Sequence, residues 1–151
     1  MDRYQVYYFS RTGNSERIAK KLAGGLSCSL FRINDDADWR GIRAYIRLAS
    51  YAKGKRPLKV ICDGDPGMAQ EIIAVSPIWG SRLTPSVQKF LSAISKERVH
   101  IVTSSMMDHL RGGEGFQSVT EVIGIKKNEA AVIGDLLGRL RSRNQQQFQN
   151  R

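Results

Sequence analysis

A short run of hydroxyl, amide and glycine residues, Ser10-Arg11-Thr12-Gly13-Asn14-Ser15, is the part of this sequence best equipped for chemistry. It lies between an aromatic and β-branched run, Tyr4 to Phe9, and an amphipathic stretch that begins at Asn14. A loop at the carboxyl end of a strand that opens a helix offers free N–H groups and the positive end of a helix dipole to an anion. Hydroxyls of Ser10, Thr12 and Ser15 and the Asn14 amide add neutral donors, and Gly13 lets the backbone approach a ligand closely. The loop lacks the Gly-Lys-Ser/Thr ending of a Walker A motif and the spacing of a G-x-G-x-x-G dinucleotide turn. Phosphate binding is the role these residues fit.

A second segment, Ser76-Pro77-Ile78-Trp79-Gly80-Ser81, follows an apolar run and leads through Thr84-Pro85 into a helical pattern ending in Phe90-Leu91. Trp79 offers a large π-face to a flat ring, and Gly80 can take backbone conformations closed to other residues. Alone, a tryptophan after a strand is more often core. In this order, with the hydroxyl loop first, the pair resembles the flavodoxin family. Ser10–Ser15 is similar to that family's phosphate signature, Tyr8-Phe9 and Ile18-Ala19 extend the likeness, and Pro77-Ile78-Trp79-Gly80 is similar to its flavin loop. The resemblance implies an α/β, flavodoxin-like, doubly wound five-stranded parallel sheet of order 2-1-3-4-5. It also implies flavin mononucleotide (FMN) held without a covalent bond, with Ser104 and Ser105 opening a third flavin loop. That loop, through Phe116, lacks the tyrosine that many flavodoxins stack on the ring; Met106, Met107, His109 and Phe116 stand in its place. Arg82 follows the Trp79 loop where many flavodoxins carry acids, so a raised flavin potential is expected.

The elements that must position these loops read as follows. Ile18, Leu22 and Leu26, with Ala19 and Ala23, form a helix face that Gly24-Gly25 is expected to stop. Ser29–Ile33 reads as the second strand, 38–52 as a helix carrying Ile42, Tyr45, Ile46 and Ala49 inward. Glu71–Ser76 reads as a buried third strand, Val99–Thr103 as the fourth and Val119–Ile125 as the fifth. Val87, Phe90, Leu91 and Ile94 face inward on one helix, and Ile133, Leu136, Leu137 and Leu140 on the last, capped by Asn128. Residues 104–118 leave a short fourth crossover, near the lower limit for joining parallel strands. One domain, 1–143, is expected, with a Gln-rich basic tail, 144–151, that frays. Asp63-Gly64-Asp65-Pro66-Gly67 is turn chemistry without the later ligands of a calcium loop, and His100 reads as structural.

Composition narrows the functions. The chain has 151 residues, 41% of them hydrophobic, enough for a core without metal or disulfides. Cys28 and Cys62 fit neither a C-x-x-C motif nor a zinc site and read as buried, inert thiols. With no apolar run long enough to span a bilayer and no signal-peptide pattern, a cytoplasmic protein is expected. The net charge of +10 suits an acidic partner, an anionic substrate, nucleic acid or an anionic membrane surface; a redox partner with an acidic docking face is the expectation, with nucleic acid less favoured. From Arg40 to Cys62 no acidic residue occurs, so that stretch is a solvated face or a docking surface. No catalytic acid, base or nucleophile stands out near the two loops, which favours an electron carrier. The alternatives are a nicotinamide-dependent FMN or quinone reductase, with Arg82 or Arg111 on a pyrophosphate, and an activator similar to the basic flavodoxin-like partner of manganese ribonucleotide reductase. A domain that has lost its flavin and serves as an interaction module is a further reading.

Overall fold

The computed structural model describes residues 1–37, 39–40, 50 and 58–150. The helix expected over 38–52, and most of the basic stretch that follows it, lie outside the described residues.

Strand β1 (Asp2–Tyr8) runs through the middle of the molecule. Helix α1 (Asn14–Leu26) returns the chain to β2 (Ser29–Arg32), which pairs parallel to β1 with Tyr7 opposite Phe31. Two short pieces, β3 (Asn34–Asp35) and β4 (Val60–Ile61), form an antiparallel ribbon beside the sheet. Strand β5 (Ala69–Trp79) then enters on the other side of β1, and β6 (Arg82–Leu83) folds back on it. Helix α2 (Pro85–Leu91), β7 (Val99–Ser105), β8 (Ser118–Ile123) and α3 (Glu129–Gln149) complete the chain. Apart from β6 the sheet order is β2-β1-β5-β7-β8, all neighbours parallel. In order of appearance along the chain this is the expected 2-1-3-4-5 arrangement of a doubly wound sheet. Among the described residues no helix is long and apolar enough to cross a membrane.

Burial explains the element types. Ile72, Ile73, Ala74 and Val75 of β5 are completely buried, as a central parallel strand covered on both faces requires. On one face Ile18 and Leu22 of α1 pack with Ile133, Leu136 and Leu140 of α3 over Val6, Ile73 and Val102. Complete burial of Ile18 and Leu22 contributes about 1.5–3 kcal/mol each. The opposite face collects Tyr7, Phe9, Trp39, Val87, Leu91 and Ile101.

Three local features depart from the sequence pattern. Helix α1 passes through Gly24-Gly25 and ends with Ser27 in the left-handed region, its N–H bonded to the Gly24 carbonyl at 3.3 Å. Gly25 serves packing instead: a Cβ there would lie 2.7 Å from Leu137 Cδ1 of α3. Helix α2 stops at Leu91, short of Ile94. Finally, α3 remains helical to Gln149, past the expected end near 143, with Arg143 reaching Glu71 at 3.2 Å. The crossover between β7 and β8, residues 106–117, is short, as expected over 104–118, and contains no helix.

Gly64 gives a direct test of packing. A Cβ at that position would sit 2.6 Å from Phe31 Cγ and from the Tyr7 hydroxyl. Those rings are stacked 5.2 Å apart and Tyr7 packs on Phe90 at 4.7 Å, so neither can yield cheaply. Gly64→Ala is therefore expected to destabilise the fold by about 1–3 kcal/mol. A thermal or urea midpoint equal to that of the wild type would show that the β2 side of the sheet gives way without cost.

Candidate functional site

The first two loops singled out in the sequence meet at the carboxyl ends of β1 and β5, the adjacent strands from which this sheet winds in opposite directions. That crevice is where open α/β sheets bind ligands. After Tyr8 the chain leaves β1 as Phe9-Ser10 and turns through Gly13, whose φ of 95° favours glycine. The Ser10 Oγ accepts from the Gly13 N–H at 3.0 Å, closing the turn from inside. From below, Arg32 Nη2 donates to the Ser10 carbonyl at 3.1 Å.

The hydroxyls do not all face one way. Ser10 and Ser15 are buried, whereas Arg11 and Thr12 are exposed and Asn14 half-buried. Ser15 Oγ lies 2.9 Å from Ser104 Oγ, a buried contact that ties the first loop to the third. Asn14 Nδ2 donates to Thr12 Oγ1 at 3.3 Å, and its Oδ1 accepts from Arg17 Nη1 at 3.1 Å. Ser10 and Ser15 thus shape the loop; Arg11, Thr12 and Asn14 form its outer surface. The N–H groups of Thr12, Asn14, Ser15 and Glu16 donate to no acceptor among the described residues. They are the unsatisfied donors of a helix start, and no carboxylate lies within 10–15. Glu16, one residue on, is engaged by the Tyr8 hydroxyl at 3.2 Å and Lys20 at 3.4 Å. The Tyr8 hydrogen bond, then Lys20, hold its carboxyl below the usual range.

At β5, Ser76 and Ile78 are buried and Pro77 lies beside Ser104 of β7. A proline is tolerated there because β1 has already ended at the level of Val75. Trp79 and Arg82 pair across a two-residue hairpin with Gly80 at φ 59° and Ser81 at φ 63°. Both central residues at positive φ match the turn whose twist suits a hairpin. Trp79 is only half-buried, edge-on to Trp39 at 5.2 Å and to Phe9 at 5.7 Å. It belongs to an aromatic wall rather than standing free. Trp39 itself is fixed by its Nε1–H donating to Asp35 Oδ2 at 2.8 Å, and Asp35 also accepts from Ser86 Oγ.

The third loop is held at several points. Ser105 Oγ donates to the Asp108 carbonyl at 2.6 Å, and Glu121 accepts from Leu110 N at 2.6 Å and faces His109 Nδ1 at 3.1 Å. Arg111 N donates to the Ser81 carbonyl at 2.7 Å, joining this loop to the hairpin. Met106 and Met107 are exposed beside it.

Residues outside the motifs complete the support. Glu129, the first residue of α3, accepts from Arg17 Nη2 at 2.7 Å and Lys21 Nζ at 2.5 Å, and so clamps α1 to α3 behind the first loop. The Arg17 hydrogen bond, opposed by burial and aided by Lys21, holds the Glu129 carboxyl below its ordinary value. A depressed folded-state pKa means stabilisation fully present above the unfolded value of about 4.3 and lost as pH falls through the folded one. Glu129→Gln is expected to cost about 1–3 kcal/mol near neutral pH, the half-exposed cations being able to turn to water. The difference from wild type should shrink as pH falls below the ordinary carboxylate range and through the lowered folded value. A constant difference across that range would rule out the ionised clamp. Cys28 and Cys62 are half-buried and free; burial pushes Cys28 up to about 11 and raises Cys62, leaving both as thiols near neutral pH.

The fold is flavodoxin-like, and solved structures of flavoproteins share it. A flavoprotein from Lactobacillus acidophilus, solved in complex with FMN, superposes with a TM-score of 0.63 at 12% identity, over 87% of this chain and 99% of that one. A Bacteroides eggerthii protein assigned as a flavoprotein gives 0.64 at 18% identity, over 93% and 98%. A WrbA-like flavodoxin from Agrobacterium tumefaciens gives 0.55 at 16% identity, over 97% and 99%. No protein-family profile matches this sequence, and no curated protein matches it.

Proposed function

We propose that the chain binds FMN non-covalently at the carboxyl ends of β1 and β5 and carries electrons to a partner protein. The observation that supports this most is the Ser10–Ser15 loop: helix N–H groups without protein acceptors, beside exposed Thr12 and half-buried Asn14, at the sheet's switch point. Thr12, Asn14 and those N–H groups would hold the phosphate, with Ser10 and Ser15 keeping the loop in shape. Trp79 would give the flat ring an aromatic wall, next to a third loop anchored through Ser104. Bound there, FMN supplies one- and two-electron chemistry that no side chain provides. Arg82, the cross-strand neighbour of Trp79, adds positive charge near the ring and raises its reduction potential. The charge of +10 suits a partner with an acidic docking face.

Titration of the flavin-free protein with FMN, FAD and riboflavin, followed by flavin fluorescence, tests the reading. FMN is expected to bind at least about 100-fold more tightly than riboflavin, because each hydrogen bond to a charged phosphate contributes about 1.5–3 kcal/mol. Equal affinities, or no saturable binding, would overturn it. Oxidation of NADH or NADPH by the FMN-loaded protein should be slow without an added reductase.

A further inference from the structure

Between α2 and the third loop lies a second cleft, of about 210 Å³, lined by Arg82, Lys96, Arg111, Gln88 and Ser92 around Leu83, Leu91 and Phe116. No carboxylate side chain lines it, and Arg82 and Arg111 make no ion pair among the described residues. Other cations, Arg11, Lys89 and Lys126 among them, also make no ion pair among the described residues, but here Arg82, Lys96 and Arg111 line one cleft and concentrate their charge there.

The walls are built rather than loose. Arg111 N is bonded to the Ser81 carbonyl at 2.7 Å, and Gln117 N to the carbonyls of Lys96 at 3.2 Å and Val99 at 2.9 Å. The loop passes Arg82 closely at Gly112, where a Cβ would lie 3.7 Å from Arg82 Nη1 and φ is +81°. Lys96 Nζ sits 5.1 Å over the Phe116 ring and 3.5 Å from the Glu114 carbonyl, which holds that ring as one side of the cleft. Gln88 Nε2 is committed to the Leu83 carbonyl at 2.7 Å and Ser92 Oγ to the Lys89 carbonyl at 2.6 Å. Lys96 Nζ and Gln88 Nε2 each keep a donor, but the groups with no hydrogen bond of their own among the described residues are the two guanidiniums.

Two planar, permanently charged forks over an apolar and aromatic floor match an anion that carries a flat group. We propose that this cleft binds an organic phosphate, its phosphate between Arg82 and Arg111 and its ring on Leu83, Leu91 and Phe116. The volume is below the roughly 300–1,000 Å³ of sites that enclose a drug-sized ligand. It accepts a mononucleotide, or one nucleotide half of a dinucleotide whose remainder lies outside. Arg82 is shared with the flavin reading, as the cross-strand neighbour of Trp79, but the site does not need a phosphate in the Ser10–Ser15 loop, to which none of its lining residues belongs.

Calorimetric titration of the full chain at about 0.15 M salt, where the Debye length is about 8 Å, with AMP, inorganic pyrophosphate and NADPH, tests it. AMP is expected to bind saturably, and Arg82→Gln with Arg111→Gln to weaken it at least about 100-fold, one charge-assisted contact being lost at each position. Phe116→Ala should weaken AMP and leave pyrophosphate within about twofold. NADPH binding more tightly than AMP, and weakened by the same double variant, would identify a dinucleotide as the source; equal binding would identify a mononucleotide. Circular dichroism and thermal midpoints would establish that each variant is folded.

Thr12→Asp separates this site from the flavin site. AMP binding that survives Thr12→Asp but not the arginine double variant supports the cleft even if FMN does not bind. AMP binding lost in Thr12→Asp and unchanged in the double variant would overturn the proposal and place the phosphate in the Ser10–Ser15 loop. Absence of saturable AMP and pyrophosphate binding would overturn it as well.

Discussion

Thr12→Asp is expected to move folding stability and FMN affinity in opposite directions. Thr12 is exposed and immediately precedes Gly13, the N-cap of α1. A carboxylate just before a helix interacts favourably with the helix dipole, by about 0.3–1 kcal/mol. Toward a phosphate held by the same N–H groups it is a like charge at short range. Even with an effective dielectric near 20, two such charges about 6 Å apart repel by roughly 3 kcal/mol, so FMN affinity should fall by at least about 100-fold. Riboflavin, without the phosphate, should be affected far less. A paired measurement of thermal midpoint and FMN titration would read both effects. Retained FMN affinity in a folded Thr12→Asp protein would remove the phosphate from this loop.

Trp79→Ala carries the second large effect, and two readouts separate its causes. Trp79 packs edge-on against Phe9 and Trp39 while remaining only half-buried. Complete truncation of a fully buried aromatic residue costs about 3–5 kcal/mol, so a half-buried one should cost about 1–3 kcal/mol. In the proposed FMN complex, loss of the aromatic wall should also brighten or release the flavin, because the indole expected to quench it would be gone. Trp79→Phe should recover much of the stability by refilling the contact with Phe9 and Trp39. A destabilised Trp79→Ala protein that binds and quenches FMN like the wild type would leave Trp79 as a core residue and nothing more.

Most of what positions the site was legible in the residues themselves. The apolar run of β5 marked a central parallel strand, and the spacing of Ile18 and Leu22 marked the buried face of α1. Sequence could not separate the inward hydroxyls, Ser10 and Ser15, from the outward Thr12. All share one chemistry, and the Gly13 turn and the contact with Ser104, which no local pattern reveals, decide their direction. The hairpin beyond Trp79 had a signal: Gly80-Ser81 between Ile78-Trp79 and Arg82-Leu83 is a two-residue turn pattern. Gly25 misled because a glycine demanded by a neighbouring helix looks the same in sequence as one that ends its own. Trp39 and Glu129 were missed for a related reason. Their partners, Trp79 and Arg17, are remote in the chain, and burial alone gives a lone tryptophan or glutamate no distinguishing mark.

The two margins of the sheet bear on how the molecule behaves in a crowd. An open parallel sheet ends in strands whose outer N–H and C=O groups can recruit another chain. Here β2 is only four residues long and closes with Arg32 turned to the first loop. At the other margin β8 reads Ser-Val-Thr-Glu-Val-Ile, a segment of high β-propensity with Val119 exposed. Glu121 interrupts it, and because its carboxylate also receives Leu110 N, the helix-free crossover is gathered back against that strand. One acidic side chain in a strongly basic protein thus does two things: it fastens the third loop, and it puts charge where a neighbouring molecule would otherwise add a strand.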